Sequence, residues 1–244
     1  MGRQGLQVET MEKEAVDWAT TYRKRLAEVE DAIAAACRRA GRAPQEVRVI
    51  AVTKYVGPER LGDLLAAGLR ELGENRWQQA REKLMRPEAG AATWHFIGRL
   101  QKNKVKAVVR HFAWIHSIDS VELGTFVAAQ AAAAGREVNC LLQVNVSGEA
   151  TKAGLPPEEV SAAAQALVRL EGIRLRGLMT MAPVTDDPES VRPVFAALRQ
   201  LRDEVRQQLG DPAFSELSMG MSDDFPAAVA EGATMVRIGR RLVG

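Results

Sequence analysis

The sequence has little that would tie it to a membrane, a metal or an oxidising compartment. Only two residues in 244 are cysteine, Cys37 and Cys140, too few for a disulfide framework. The three histidines, His95, His111 and His116, form no HExxH pair, and no Cys/His cluster has zinc-ligand spacing. No sign of charge is in excess. Lys and Arg total 33 against 31 acids, and a net charge of +2 excludes a protein that holds nucleic acid through bulk charge. The longest uncharged stretch, Leu123 to Gly135, is 13 residues and Ala-rich, too short to span a bilayer. Met1 to Thr10 has no apolar core of a secretory signal. Leu6 stands where a myristoylation signal needs Ser or Thr. A soluble, cytoplasmic protein without membrane or nucleic-acid partners is the expectation.

What is present is a globular composition, 46% hydrophobic and 26% charged, with a regular rhythm. Met11, Ala15, Trp18, Tyr22, Leu26, Val29, Ile33 and Cys37 recur at spacings of three and four, so the first 40 residues read as one helix ended by Gly41 and Pro44. Short apolar runs then alternate with helical patterns. The runs are 47–53, 69–75, 93–98, 113–119, 138–145, 173–181, 216–220 and 235–239. The helical stretches between them are 58–67, 76–85, 102–110, 121–134, 157–170, 188–209 and 223–231. Strict βα alternation implies parallel strands with right-handed crossovers. Eight such units predict a single (β/α)8 barrel over 1–244, with the helix of 1–40 packed on it. The runner-up is an open doubly wound sheet. No Gly-x-Gly-x-x-Gly follows the first run, which counts against its dinucleotide-binding version.

In such a barrel, chemistry belongs at the C-terminal ends of the strands. Those ends carry Lys54, Asn75, Gly98, Asp119, Asn145, Met181, Gly220 with Ser222, and Gly239. Lys54 closes a run that is apolar from Val49. It reads either as a lysine snorkelling from a strand end or as an amine held beside low-dielectric walls, where it can attack an aldehyde. Ser218-Met-Gly-Met-Ser-Asp-Asp-Phe reads either as a plain strand-to-helix turn, capped by Ser222, Asp223 or Asp224, or as an anion site at a helix N-terminus. Val236-Arg-Ile-Gly places Gly239 at the end of the eighth strand and opens another helix. A lysine across the mouth from this phosphate cradle points to a phosphorylated aldehyde, of which pyridoxal 5′-phosphate (PLP) is the commonest.

The sequence also resembles the pyridoxal phosphate homeostasis proteins. The resemblance runs from about Val47 to Gly244. Its marks are Ala51-Val-Thr-Lys54, Gly73-Glu-Asn75, Trp94-His-Phe-Ile-Gly98, Leu100-Gln-Lys-Asn-Lys104, His116-Ser-Ile-Asp119, Arg176-Gly-Leu-Met179, Ser218-Met-Gly-Met-Ser-Asp-Asp224 and Val236-Arg-Ile-Gly239. It implies a barrel like the alanine racemase N-terminal domain and a PLP aldimine on the lysine matched by Lys54. It also implies phosphate binding by Ser222 and the backbone at Gly239 and Arg240, with Met221 beside the serine. Arg237 matches an arginine that faces the pyridine nitrogen, and Asn75 and His95 lie in motifs near the cofactor. Many relatives have Thr or Ser where this chain has Arg240. A cation there either replaces the lost hydroxyl contact or points to solvent.

An arginine facing the ring nitrogen donates to it and keeps it unprotonated, which makes the ring a weaker electron sink. Racemases of this fold also draw a second base from a C-terminal domain and a partner subunit. Here nothing follows Gly244, and the tyrosines are Tyr22 and Tyr55. The expectation is therefore a monomeric, non-catalytic PLP protein that stores, buffers or delivers the cofactor, with apo PLP enzymes as acceptors. A weak amino-acid racemase is the alternative. The basic run Arg99-Leu-Gln-Lys-Asn-Lys-Val-Lys reads as a solvated helix face or a second phosphate-docking surface, and Cys37 and Cys140 as buried thiols. Met179, Met181, Met219 and Met221 read as barrel core or cofactor walls.

Overall fold

The computed structural model describes residues 16–149 and 153–244. The first helix, α1, spans Trp18–Ala40. Asp17 opens it by accepting from Thr20 N at 3.0 Å, and Gly41, at φ 65°, closes it in the left-handed conformation that glycine tolerates. Its stripe buries Tyr22, Val29, Ile33 and Cys37, with Trp18 and Leu26 partly covered. Met11 and Ala15, also assigned to this stripe, lie outside the described residues.

Eight strands follow: β1 Arg48–Val52, β2 Glu71–Glu74, β3 Thr93–Phe96, β4 Trp114–Ile118, β5 Val138–Gln143, β6 Ile173–Met179, β7 Glu216–Ser218 and β8 Met235–Ile238. They form one closed parallel barrel in sequence order. The pairing of β8 with β1, Ile50 beside Arg237 and Ala51 beside Ile238, closes it and rules out the open doubly wound sheet. The connecting helices are α2 Leu61–Ala66, α3 Trp77–Leu84, α4 Lys102–His111, α5 Val121–Ala133, α6 Val160–Leu167, α7 Arg192–Leu209 and α8 Phe225–Ala230, and α9 Arg240–Val243 follows β8. Three helical stretches expected to begin at Pro58, Pro157 and Pro188 begin instead with a 3-10 turn there. Proline fits a first turn, because its missing N–H is not needed.

One apolar layer lies between strands and helices, and α1 packs against α2, α8 and α9. A second, smaller cluster fills the barrel itself: Ile50, Trp114, Leu141, Met179 and Met235. Removing each such side chain from water contributes about 1.5–3 kcal/mol. The barrel interior is not wholly apolar, since His95, His116, Ser218 and Arg237 are buried there too. Met179 and Met219 are core, whereas Met181 is exposed. Both cysteines are buried, and burial pushes their thiols up. The charged residues of α4, including Lys102 and Lys106, face solvent while Val105, Val108 and Val109 face the core, as a solvated helix face requires. Among the described residues no helix is long and apolar enough to cross a membrane. Nor is any group of three or more His, Cys, Asp or Glu side chains among them placed to hold a metal ion.

Candidate functional site

Side chains of a strand alternate between the two faces of the sheet. In β1 Ile50 lies in the barrel interior and Ala51 in the outer layer. Thr53 points outward, where its hydroxyl donates to Glu74 Oε1 at 2.6 Å. Lys54, one residue on, therefore faces the mouth. The residue is half-buried, and its amine lies 4.9 Å from the centre of the Tyr55 ring. The peptide that carries it is held from behind: Lys83 Nζ on α3 donates to Thr53 O at 2.6 Å and to the Glu74 carboxylate. Lys83 and Glu74 are both buried.

Asn75 follows β2 directly. Its Oδ1 is buried and has no hydrogen-bond partner among the described residues. Gly98, after β3, presses on the Asn75 backbone, and a Cβ at Gly98 would lie 2.1 Å from Asn75 O. Only glycine fits that approach.

Across the barrel, the turn after β7 is set by Gly220, whose φ of +90° and contact with α8 leave no room for a side chain. Of the capping candidates, Asp224 rather than Ser222 or Asp223 stands at the N-cap of α8, and its carboxylate accepts from Met221 N at 2.6 Å. Burial raises the Asp224 carboxyl above its ordinary range. Ser222, buried, instead accepts from Gly239 N at 3.3 Å and ties the β7 turn to the end of β8. Met221 is half-buried beside it. Gly239 opens α9, and the Arg240 side chain turns out to solvent in an ion pair with exposed Asp223. Of the two orientations considered for Arg240, the solvent-facing one is adopted.

Arg237 points into the barrel. It is buried, donating to Ser218 Oγ at 2.5 Å and to Thr180 O at 2.9 Å. Desolvation pulls its guanidinium down to about 10, so it remains cationic at neutral pH. Ser218 Oγ lies 2.8 Å from His116 Nδ1, His116 Nε2 lies 2.9 Å from His95 Nδ1, and His95 Nε2 lies 2.5 Å from Glu71 Oε2. The structure thus bonds His95 to Glu71 and His116 inside the barrel. His116 and Ser218 lie in the sequence motifs without a role of their own, and nothing local in the sequence sets Glu71 apart. The usable signal was a polar residue at an inward position of each strand.

Residues 28–244 match the family described as alanine racemase, N-terminal domain. A pyridoxal phosphate homeostasis protein of Aquifex aeolicus is 40% identical over 221 residues, covering 91% of this chain and 96% of that protein. Its namesake in Escherichia coli is 39% identical over 223 residues, covering 90% and 94%. The solved structure of PipY from Synechococcus elongatus with PLP bound superimposes with a TM-score of 0.78 at 36% identity, covering 91% of this chain and all of that one. An alanine racemase of Clostridium difficile, 16% identical, shares the barrel alone, with a TM-score of 0.70 over 92% of this chain and 56% of that one.

Proposed function

The chain belongs to the pyridoxal phosphate homeostasis protein family, and from that premise we propose that it binds PLP at the C-terminal mouth of its barrel and serves the intracellular balance of that cofactor. The observation that carries this reading is convergence. The Lys54 amine, the Arg237 guanidinium, the Ser222–Gly239 tie and the unpartnered Asn75 Oδ1 belong to the same end of one barrel. These groups fit the cofactor's own: an amine for an aldehyde, a cation for a ring nitrogen, and a hydroxyl with backbone N–H groups for a phosphate.

PLP supplies an aldehyde that condenses reversibly with an amine. Lys54 is the attachment point, held by the Lys83-anchored peptide. Ser222 and the backbone at Gly239 and Arg240 receive the phosphate, with Met221 as a wall, and Asn75 offers its Oδ1 to a donor on the ligand. Arg237 faces the ring nitrogen. Its fixed charge cannot accept a proton there, which favours holding the cofactor over turning it into an electron sink. Residues 1–244 are read as one PLP-binding unit, monomeric and cytoplasmic. The carrier reading has the relatives' name on its side. The apo PLP enzymes it would supply meet a rim that includes exposed Tyr55 and Met181.

The phosphate site is tested by comparing PLP with pyridoxal, which lacks the phosphate. Ser222→Ala is expected to weaken PLP binding several-fold and leave pyridoxal unchanged, and equal effects on both would reject this phosphate assignment. Delivery is tested by mixing loaded protein with an apo-enzyme. Transfer no faster than spontaneous dissociation would remove the delivery role. The barrel shared with alanine racemase keeps a weak racemase as the second reading. Sustained incorporation of solvent deuterium at an amino-acid Cα would favour it.

A further inference from the structure

We propose that Glu71, His95, His116 and Ser218 are positioning residues that hold Arg237 against the cofactor from the opposite end of the barrel. The inference rests on Arg237 facing the PLP ring, as read above.

A guanidinium has only donors, so Ser218 Oγ must accept from Arg237 Nη1. The hydroxyl hydrogen of Ser218 is then free to point at its other neighbour, His116 Nδ1, 2.8 Å away. His116 accepts at Nδ1 and, as a neutral ring, carries its proton on Nε2. That proton is donated to His95 Nδ1 at 2.9 Å. His95 then carries its own proton on Nε2 and donates it to the Glu71 carboxylate at 2.5 Å. Every donor meets an acceptor, and only one assignment of protons satisfies both ends. The cation at one end and the carboxylate at the other give the chain a direction.

The surroundings keep the two rings neutral. Both histidines are fully buried, and desolvation holds them below the ordinary imidazole value, His116 far below. The charged groups around them are Glu71 on β2, Arg48 on β1, Glu216 on β7 and Arg237 on β8. Arg48 is ion-paired with Glu216, which also accepts from Thr234 Oγ1 at 2.6 Å. Trp114 stacks on His95 with ring centres 5.8 Å apart and planes 11° from parallel. Glu71, by contrast, is 28% exposed, at a cleft between α1 and the start of β1 and β2 that Asp31 and Arg70 also line. Loss of the carboxylate there removes the acceptor that orders the chain. A proton placed on Glu71 makes it a donor, which reverses both imidazoles and drives the Ser218 hydroxyl hydrogen off His116. Events at the closed end of the barrel thus reach the partner of the cofactor ring without moving the backbone.

The test reads proton positions directly. With three histidines in the chain, a two-bond 1H–15N correlation spectrum of labelled protein without PLP resolves each ring, and H111Q assigns His111. At neutral pH His95 and His116 should both appear as neutral rings protonated on Nε2. Either ring protonated on Nδ1, or as an imidazolium, overturns the proposal. Ser218→Ala should leave both rings protonated on Nε2, because Glu71 still orders them, and remove only the acceptor of Arg237. Glu71→Leu should cost both rings their single tautomer, and Glu71→Gln, whose amide oxygen still accepts, should restore it. The same variants are then loaded with PLP. Ser218→Ala should raise the PLP dissociation constant about tenfold. Unchanged binding there, with the tautomers as expected, would show a chain that does not position Arg237 and would overturn the proposal. Failure of the wild type to take PLP would instead reject the cofactor reading, and this proposal with it, while the tautomer spectrum stood.

Discussion

Arg237 and Ser218 meet inside the barrel, guanidinium Nη1 donating to hydroxyl oxygen at 2.5 Å, with both residues removed from water. A buried cation is costly unless its donors are met. Here they are met by a hydroxyl on the neighbouring strand and by Thr180 O after β6, rather than by a carboxylate. The charge is therefore not neutralised by a salt bridge, as the role proposed for it toward a ligand at the mouth requires.

Behind the mouth, the Lys83–Glu74 pair is costly to disrupt. Both side chains are buried, and Glu74 Oε2 already lacks a partner among the described residues. Lys83→Met leaves a carboxylate uncompensated and frees the Thr53–Lys54 peptide. The expected loss is about 3–5 kcal/mol by denaturant unfolding. Glu74→Gln combined with Lys83→Met should recover part of it. A single Lys83→Met variant as stable as the wild type would show that the pair is not formed.

The buried histidines set a pH dependence of stability. Desolvation lowers the folded-state values of His95 and His116 below the 6.5 of the free side chain. Below that value the unfolded chain takes up protons that the folded chain refuses, so stability is full above it and falls as pH drops toward the folded values. Each histidine contributes up to about 1.4 kcal/mol per pH unit in that window. The denaturant midpoint should therefore fall between about pH 7 and pH 5, with a smaller slope in His116→Gln. A flat profile would contradict the neutral, buried state of the rings.

Gly98 is a steric prediction. A methyl there overlaps the Asn75 carbonyl, so Gly98→Ala must push the turn after β2 aside. PLP binding should weaken, while Gly90→Ala, where nothing lies within 4 Å of the added carbon, should change nothing. Isothermal titration of both variants measures the contrast, and equal affinities would mean that Asn75 takes no part in the site.

Much of this was legible in the chain. The eight apolar runs and the amphipathic stripe of α1 are local patterns, and they place the strands within a few residues. Lys54 was readable because strand ends of such a barrel face the mouth. Other features are long-range. His116 and Ser218 are 102 residues apart, and only the closed register brings them together. Lys83 reads as a surface lysine of a short helix until the outward turn of Glu74 draws it in. The sequence offers three capping candidates before α8, and only the structure shows that Asp224 takes the position while Ser222 is bonded to Gly239, a contact between two strand ends.

The most direct measurement of the central claim is reductive trapping. The protein is mixed with PLP, treated with borohydride, digested and mapped by mass spectrometry. The account predicts one modified lysine, Lys54, in the peptide after β1, and no trapped cofactor in Lys54→Ala. Modification at another lysine in preference to Lys54, or none at saturating PLP, would contradict it.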